Sequence, residues 1–246
     1  MTPSLSVFFP CYNDAKSIGH LIKDSNEIVS RLTKNYEIIV VDDSSTDGSR
    51  QVLKRLSRKY PKLKLVFHES NQGYGGALRT GFRTASKDLV FYTDGDGQYD
   101  VKELSLLWML MTPDVDFVNG IKMTRNYSFY RIIIGKLYSF ITRWFFLLPI
   151  YDIDCDFRLI RTKITKKLDL KSSSGSICIE LVKKSQLAGA KFREVSIHHY
   201  RRQWGKSQFF VPKRIISTLW ELSNLWFRLM IIAKILRKYL NGNNRV

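Results

Sequence analysis

Through its first half the chain alternates short apolar runs with stretches whose apolar residues recur at helical spacing. Leu5 to Phe9 reads as a strand ending at Pro10, and Asn13 is placed to cap a helix carrying Ile18, Leu21, Ile22, Ile28, Val29 and Leu32. Tyr36 to Val41 is a second strand closed by Asp42-Asp43-Ser44-Ser45. Thr46 or Asp47 then starts a helix with Val52, Leu53 and Leu56 inward. Lys62 to His68 forms a third strand. The glycine-rich stretch Gly73, Gly75, Gly76 follows, leading into a helix through Leu78, Phe82 and Ala85. Asp88 to Thr93 is a fourth strand, followed by a helix from Lys102 to Met111 and a strand from Val115 to Asn119. Apolar strands alternating with amphipathic helices predict an α/β domain, with a mostly parallel central sheet and helices on both faces.

Such sheets bind ligands at the carboxyl ends of their strands, near a switch in strand order. The polar clusters of this chain fall there: Pro10 to Asp14 after the first strand, Asp42-Asp43 after the second, and Asp94-Gly95-Asp96-Gly97-Gln98 after the fourth. The last places two carboxylates on a tight glycine turn. Hard cations such as Mg²⁺ and Mn²⁺ take oxygen ligands, and a nucleotide diphosphate would supply the rest of the shell. Gly95 and Gly97 permit close ligand approach, and Gln98 offers a neutral hydrogen bond. After the second strand, one of Asp42 or Asp43 is expected on a nucleoside, with the following residues capping a helix. Asn71 to Gly76 could turn backbone N–H groups toward a ligand, but it lacks the lysine of a P-loop.

The second half changes character. Phe129 to Ile150 and Pro212 to Leu240 are rich in aliphatic and aromatic residues, yet both carry charges. A spanning helix needs about 20 consecutive apolar residues, which neither segment has. Tryptophan and basic residues on amphipathic helices fit helices lying in a membrane interface. A dimer interface or ordinary packing on the sheet is the alternative. With Lys+Arg 40 against Asp+Glu 22, the net charge is +18, which calls for anionic surroundings. Cys11, Cys155 and Cys178 are odd in number and widely spaced, which argues against a disulfide framework or structural zinc. The N-terminus does not read as a signal peptide, and no nucleic-acid recognition motif is visible.

Taken together these motifs resemble the family-2 glycosyltransferases of the GT-A fold. The matching pieces are Pro10 to Asp14, Val40 to Gly48, Asn71 to Gly81 and Asp94 to Gln98, in the family's order. Asp152-Ile153-Asp154-Cys155-Asp156-Phe157-Arg158 and Arg202-Gln203-Trp204-Gly205-Lys206-Ser207 are similar to the dolichyl-phosphate (polyprenyl-phosphate) sugar synthase branch. The resemblance implies a catalytic domain over residues 1–210, including an interfacial helix at 129–150. Residues 211–246 would be a membrane-associated amphipathic helix and frayed tail. It also implies that Pro10, Tyr12, Asp14 and Asp43 line a nucleoside pocket, with Gly73 nearby. Asp94, Asp96 and Gln98 would hold the metal and diphosphate, and Arg202 would reach the diphosphate or the acceptor phosphate. Three positions depart from the pattern: Asp14 stands for a usual glutamate, Asp156 for a small residue and Gln208 for a lysine that Lys206 would replace. No long transmembrane tail follows, so a peripheral enzyme on the cytoplasmic side of a membrane is expected, on its own or with a membrane-protein partner.

The expected reaction is metal-dependent, inverting hexosyl transfer from a nucleotide-diphosphate sugar to a polyprenyl phosphate. A glycan hydroxyl is the alternative acceptor. A hydroxyl would need a carboxylate base, for which Asp152, Asp154 and Asp156 are candidates and Asp154 is favoured. Strand alternation would put these three on one side, where at least one should meet an arginine or a helix end. A phosphate acceptor needs cations instead, and Lys122, Arg125, Arg131, Arg158 and Arg201 are available. Glu180 reads as a surface helix residue and His198-His199 as polar strand-end residues. A non-enzymatic basic adaptor at a membrane is the reading from another class. An enzyme making nucleotide sugars is disfavoured by the missing lysine-containing N-terminal loop.

Overall fold

The computed structural model describes residues 2–123, 129–202 and 220–232, the side chains of 129–134, 136 and 232 excepted. Seven strands form one sheet in the order β3-β2-β1-β4-β6-β5-β7. They are β1 (Leu5–Cys11), β2 (Tyr36–Asp42), β3 (Leu63–Phe67), β4 (Leu89–Thr93), β5 (Phe117–Lys122), β6 (Phe157–Arg161) and β7 (Phe192–Ile197). All run parallel except β6, which lies antiparallel between β4 and β5. β1, β2 and β4 are buried along their whole lengths, as continuous apolar runs covered on both faces must be.

Seven helices accompany these strands: α1 (Ile18–Leu32), α2 (Ser49–Lys59), α3 (Gly73–Thr84), α4 (Leu104–Leu110), α5 (Phe129–Phe146), α6 (Thr162–Thr165) and α7 (Ile177–Leu187). Residues 220–226 are helical and continue into π-helical turns at Phe227–Ile232. Two apolar cores result. One takes Ile18, Ile22 and Val29 of α1, Leu53 of α2 and Leu104 and Leu107 of α4. The other takes Leu78 and Phe82 of α3, Phe146 of α5, Ile179 and Val182 of α7, and Leu222 and Leu225. The sheet with helices on both faces is thus as the periodicity predicts.

The differences are local. Asn13 does not cap α1. It sits in the left-handed region at φ 58°, and its side-chain oxygen accepts from Thr46 N at 2.8 Å. α2 starts later than Thr46 or Asp47, because Gly48 turns the chain at φ 91° and Asp47 accepts from Ser49 N at 3.0 Å. β5 runs on to Lys122, since β7 pairs with it as far as Lys122↔Ile197. Residues 152–156 form a turn rather than a strand, so Asp152, Asp154 and Asp156 do not share one face by alternation.

Candidate active site

The site grows from three neighbouring parallel strands. β2, β1 and β4 end side by side, and the segments leaving them are hydrogen-bonded to one another. Asn13 N donates to Ser45 Oγ (2.9 Å), Asp14 N to Ser49 Oγ (3.1 Å) and Ala15 N to Asp47 Oδ2 (3.0 Å). Ser17 Oγ donates to Gly95 O at 2.8 Å, tying the start of α1 to the acidic turn. A Cβ on Gly95 would lie 2.5 Å from the carbonyl oxygen of buried Pro10, so only glycine lets this turn close onto β1. Tyr12 stands beside it, 37% exposed.

Three carboxylates gather here. Burial, with the Asp96 charge nearby, pushes Asp14 up to about 6 against the pull of the Tyr12 N–H. Rising from 3.8 to about 6 corresponds to roughly 3 kcal/mol against the charged form. Burial, then the charges of Asp156 and Asp96, push Asp94 well above the usual carboxylate range. Burial also raises Asp96, against the opposing pull of Arg202. Arg202 Nη2 lies 3.1 Å from Asp96 Oδ2 and 3.8 Å from Asp14 Oδ1. Asp94 and Asp96 therefore offer hard oxygen donors in a desolvated place where a cation would relieve their mutual repulsion, and they fit Mg²⁺ or Mn²⁺. Among the described residues no group of three or more His, Cys, Asp or Glu is arranged to hold a metal. Ligand oxygens would have to complete the shell.

The expected site residues divide. Gln98, expected on the metal, also has a structural part: its Nε2 donates to Tyr200 O (2.9 Å) and its backbone carbonyl accepts from Tyr200 N (2.8 Å). It latches the segment carrying Arg202 to the acidic turn. The same segment is held by Glu103, which accepts from His198 N (2.7 Å) and pairs with His198 Nδ1 (2.5 Å). Asp42 is fully buried, its Oδ1 accepting from Arg50 Nε (2.5 Å) and Ser45 N (3.2 Å), and it is the structural member of its pair. Asp43 Oδ1 accepts from Gln72 N (2.8 Å) and pairs with His68 Nδ1 (2.7 Å). Gly73, at φ 76°, opens α3 directly after that contact.

Arg158 is corrected outright. It is no anion clamp but a fully buried residue, donating to Asn119 Oδ1 (2.9 Å), the Tyr92 hydroxyl (2.7 Å) and Ile153 O (2.6 Å). Asp156 meets it at 3.4 Å, which supplies the arginine partner the acidic triplet required. Asp152 is buried too, with Oδ2 accepting from Lys122 N (3.0 Å). Asp154 is half-buried, with Oδ2 3.4 Å from Ser139 Oγ. Its carbonyl accepts from Lys122 Nζ (2.5 Å), which places that ammonium at the same sheet edge. Glu180 is a second correction: it is buried, not a surface residue, and accepts from Lys171 N and Ser172 N. Arg125, Lys206 and Gln208 lie outside the described residues, as does the Arg131 side chain.

Sequence reasoning missed His68, which braces Asp43, and Tyr74, whose hydroxyl donates to Asp94 Oδ1 at 2.8 Å. Tyr74 lay inside the quoted glycine-rich stretch, but no spacing rule assigns its hydroxyl a partner beyond the next strand.

The sequence model of Glycosyl transferase family 2 matches residues 6–169. The undecaprenyl-phosphate 4-deoxy-4-formamido-L-arabinose transferase of Yersinia enterocolitica is 26% identical over 220 residues, which is 89% of this chain and 66% of that one. Its counterpart in Salmonella choleraesuis is 25% identical over 219 residues, with the same coverage. The chain thus spans just under two thirds of the length of these relatives. Among solved structures, glucosyl-3-phosphoglycerate synthase from Mycobacterium tuberculosis with UDP superposes at TM-score 0.69, with 16% identity, covering 91% of this chain and 80% of that one. A mannosyltransferase from Pyrobaculum calidifontis, in complex with GDP-Man and Mn²⁺, gives 0.63 with 21% identity, covering 84% and 59%. At these identities the likeness is one of fold, the GT-A fold that the motifs imply.

Proposed function

The chain belongs to glycosyl transferase family 2, and on that premise we propose that it moves a hexosyl unit from a nucleoside-diphosphate sugar to a polyprenyl phosphate, with inversion. The non-enzymatic adaptor reading is set aside by the family. The observation that carries the proposal is the acidic turn: Asp94 and Asp96, desolvated and raised, at the same sheet edge as Asp14 and Asp43 and with Arg202 against them.

Tyr12, Asp14 and Asp43 would receive the nucleoside at the ends of β1 and β2. Asp94 and Asp96 would hold Mg²⁺ or Mn²⁺, which when bound draws negative charge off the departing diphosphate. An oxygen of the acceptor phosphate attacks the anomeric carbon. The bond from that carbon to the diphosphate oxygen breaks, and its electron pair leaves with the nucleoside diphosphate. One displacement inverts the centre. The anionic acceptor needs no base; it needs fixed positive charge, for which Lys122 and Arg202 stand at the edge. Lys122 stays charged, because the carboxylates of Asp152, Asp154 and Asp156 outweigh its burial. A glycan hydroxyl acceptor is the second reading, favoured by half-buried Asp154 as a base.

A membrane location fits the lipid acceptor. The α5 side chains Phe140 and Trp144 are 68% and 70% exposed, and Trp220 of the C-terminal helical segment is 70% exposed. Trp226 Nε1 donates to Phe145 O (3.0 Å), joining the two aromatic segments into one surface. Among the described residues no helix is long and apolar enough to cross a membrane. On the strength of these exposed aromatic residues we place the catalytic domain, with its interfacial helix at 129–150, over residues 1–210 and a membrane-associated C-terminal segment over 211–246, of which 220–232 are described, at the cytoplasmic face of a membrane. The test is incubation with Mn²⁺, labelled UDP- and GDP-sugars and undecaprenyl phosphate. A lipid-extractable product, absent with Asp96→Ala, is expected. Label entering only soluble glycans would reject the lipid acceptor.

A further inference from the structure

Asp94 has one partner that the chemistry above leaves unused, the Tyr74 hydroxyl at 2.8 Å. We infer that Tyr74 is a positioning residue that locks the Asp94 carboxylate in the orientation needed to ligate the divalent cation. This rests on the metal reading of the acidic turn. A carboxylate oxygen can only accept, so the phenol hydroxyl acts on it as the donor.

A lock is useful only if its own base is rigid, and the base of Tyr74 is held from three sides. Gly75 N donates to Ser173 O at 2.9 Å, and a Cβ on Gly75 would lie 2.2 Å from Ser172 O. The first turn of α3 therefore sits directly on the backbone of the serine-rich loop before α7. Glu180 anchors that loop from within through Lys171 N (3.0 Å) and Ser172 N (2.8 Å). Glu221, from the C-terminal helical segment, accepts from Ser173 Oγ (2.7 Å), Ser174 Oγ (2.7 Å) and Ser176 Oγ (2.6 Å). The tyrosine ring itself packs on the core around α3 and α7. The hydroxyl is thus fixed relative to the end of β4 before any cation arrives. Asp94 does not then lose side-chain freedom on binding.

The experiment is Mn²⁺ titration followed by electron paramagnetic resonance, with inorganic pyrophosphate present, on wild type, Tyr74→Phe, Asp96→Ala and Tyr36→Phe. Tyr36 donates to Asn26 Oδ1 at 2.8 Å, far from the acidic turn, so its variant loses a hydrogen bond without touching the site. Tyr74→Phe is expected to weaken Mn²⁺ by roughly fivefold while melting like Tyr36→Phe. It should also raise the Mn²⁺ concentration for half-maximal rate, with kcat largely restored at saturation. Gly75→Ala keeps the hydroxyl but displaces its base, and should weaken Mn²⁺ at least as much. Wild-type Mn²⁺ affinity in both Tyr74→Phe and Gly75→Ala would overturn the inference. If wild type and Asp96→Ala bind Mn²⁺ alike, the metal reading itself fails.

Discussion

Behind β2 stand Asp42 and Asp43; behind β4 stand Asp94 and Asp96, two strands away on the same edge. Each pair follows a buried apolar strand. The first is met largely by protein, with Arg50 and Ser45 N on Asp42 Oδ1 and His68 and Gln72 N on Asp43, while Asp42 Oδ2 is buried without a hydrogen-bond partner. The second is left in debt to its surroundings. Asp94 has Tyr74, Asp96 has Gln98 N and Arg202, and burial still holds both carboxyls up. The contrast teaches that donors from its own fold fix an acidic strand end in place, as at Asp42 and Asp43, and that where they fall short, as at Asp94 and Asp96, the end is open to a cation.

Removing charge should therefore act oppositely at the two ends. Asp96→Asn is expected to lower kcat/KM by about 10³-fold, the scale of losing a charge-stabilising group at the reacting centre, while leaving the melting temperature within about 2 °C of wild type. Product assay and calorimetry on one preparation check both. A large loss of stability would mean Asp96 belongs with the scaffold. Arg50→Ala should do the reverse. It strands the buried Asp42 charge, at a cost of about 3 kcal/mol in urea unfolding, and spares kcat in the protein that remains folded. Unchanged unfolding would remove the contrast.

The smallest effect sharpens the sign. Burial pushes Asp14 up to about 6 in the folded protein, from an ordinary aspartate value of 3.8. Between those values the unfolded chain gives up this proton first, so metal-free stability must fall as pH rises through the window, by up to about 3 kcal/mol. Glu37 behaves oppositely: burial would raise it, but Lys64, Ser6 and Ser86 hold it down at about 2, so its contribution is lost as pH falls from the ordinary carboxylate range toward 2. Asp14→Asn should flatten the first slope and leave the acid limb intact. A wild-type slope retained in Asp14→Asn would assign it to another group.

Much of this was legible in the chain. The apolar runs give the strands, and the acids just past them mark the edge, because a covered parallel strand must be apolar and its exit is where polar side chains first reach open space. What was not legible is where a charge ends up when its partners come from distant segments. Arg158 looks like any basic residue in Phe157-Arg158-Leu159-Ile160-Arg161. Its burial depends on Asn119 of β5, Tyr92 of β4 and the turn at Ile153. Glu180 depends likewise on a loop that folds back over α7. The second use of Gln98, on Tyr200 O, exists only because a segment about a hundred residues away returns to the turn.

The reversed strand β6 has a consequence of its own. Its register with β4 runs from Leu89↔Arg161 to Thr93↔Phe157, so its entrance arrives where its neighbours exit. The rim is therefore assembled from two independent kinds of connection. The approach at residues 147–156 supplies one wall, and it is tied to the sheet by Ile153 O on Arg158 and Asp152 on Asn119 and Lys122. Such an architecture delivers the wall beside Lys122 from a different direction than the turns proposed to hold the donor.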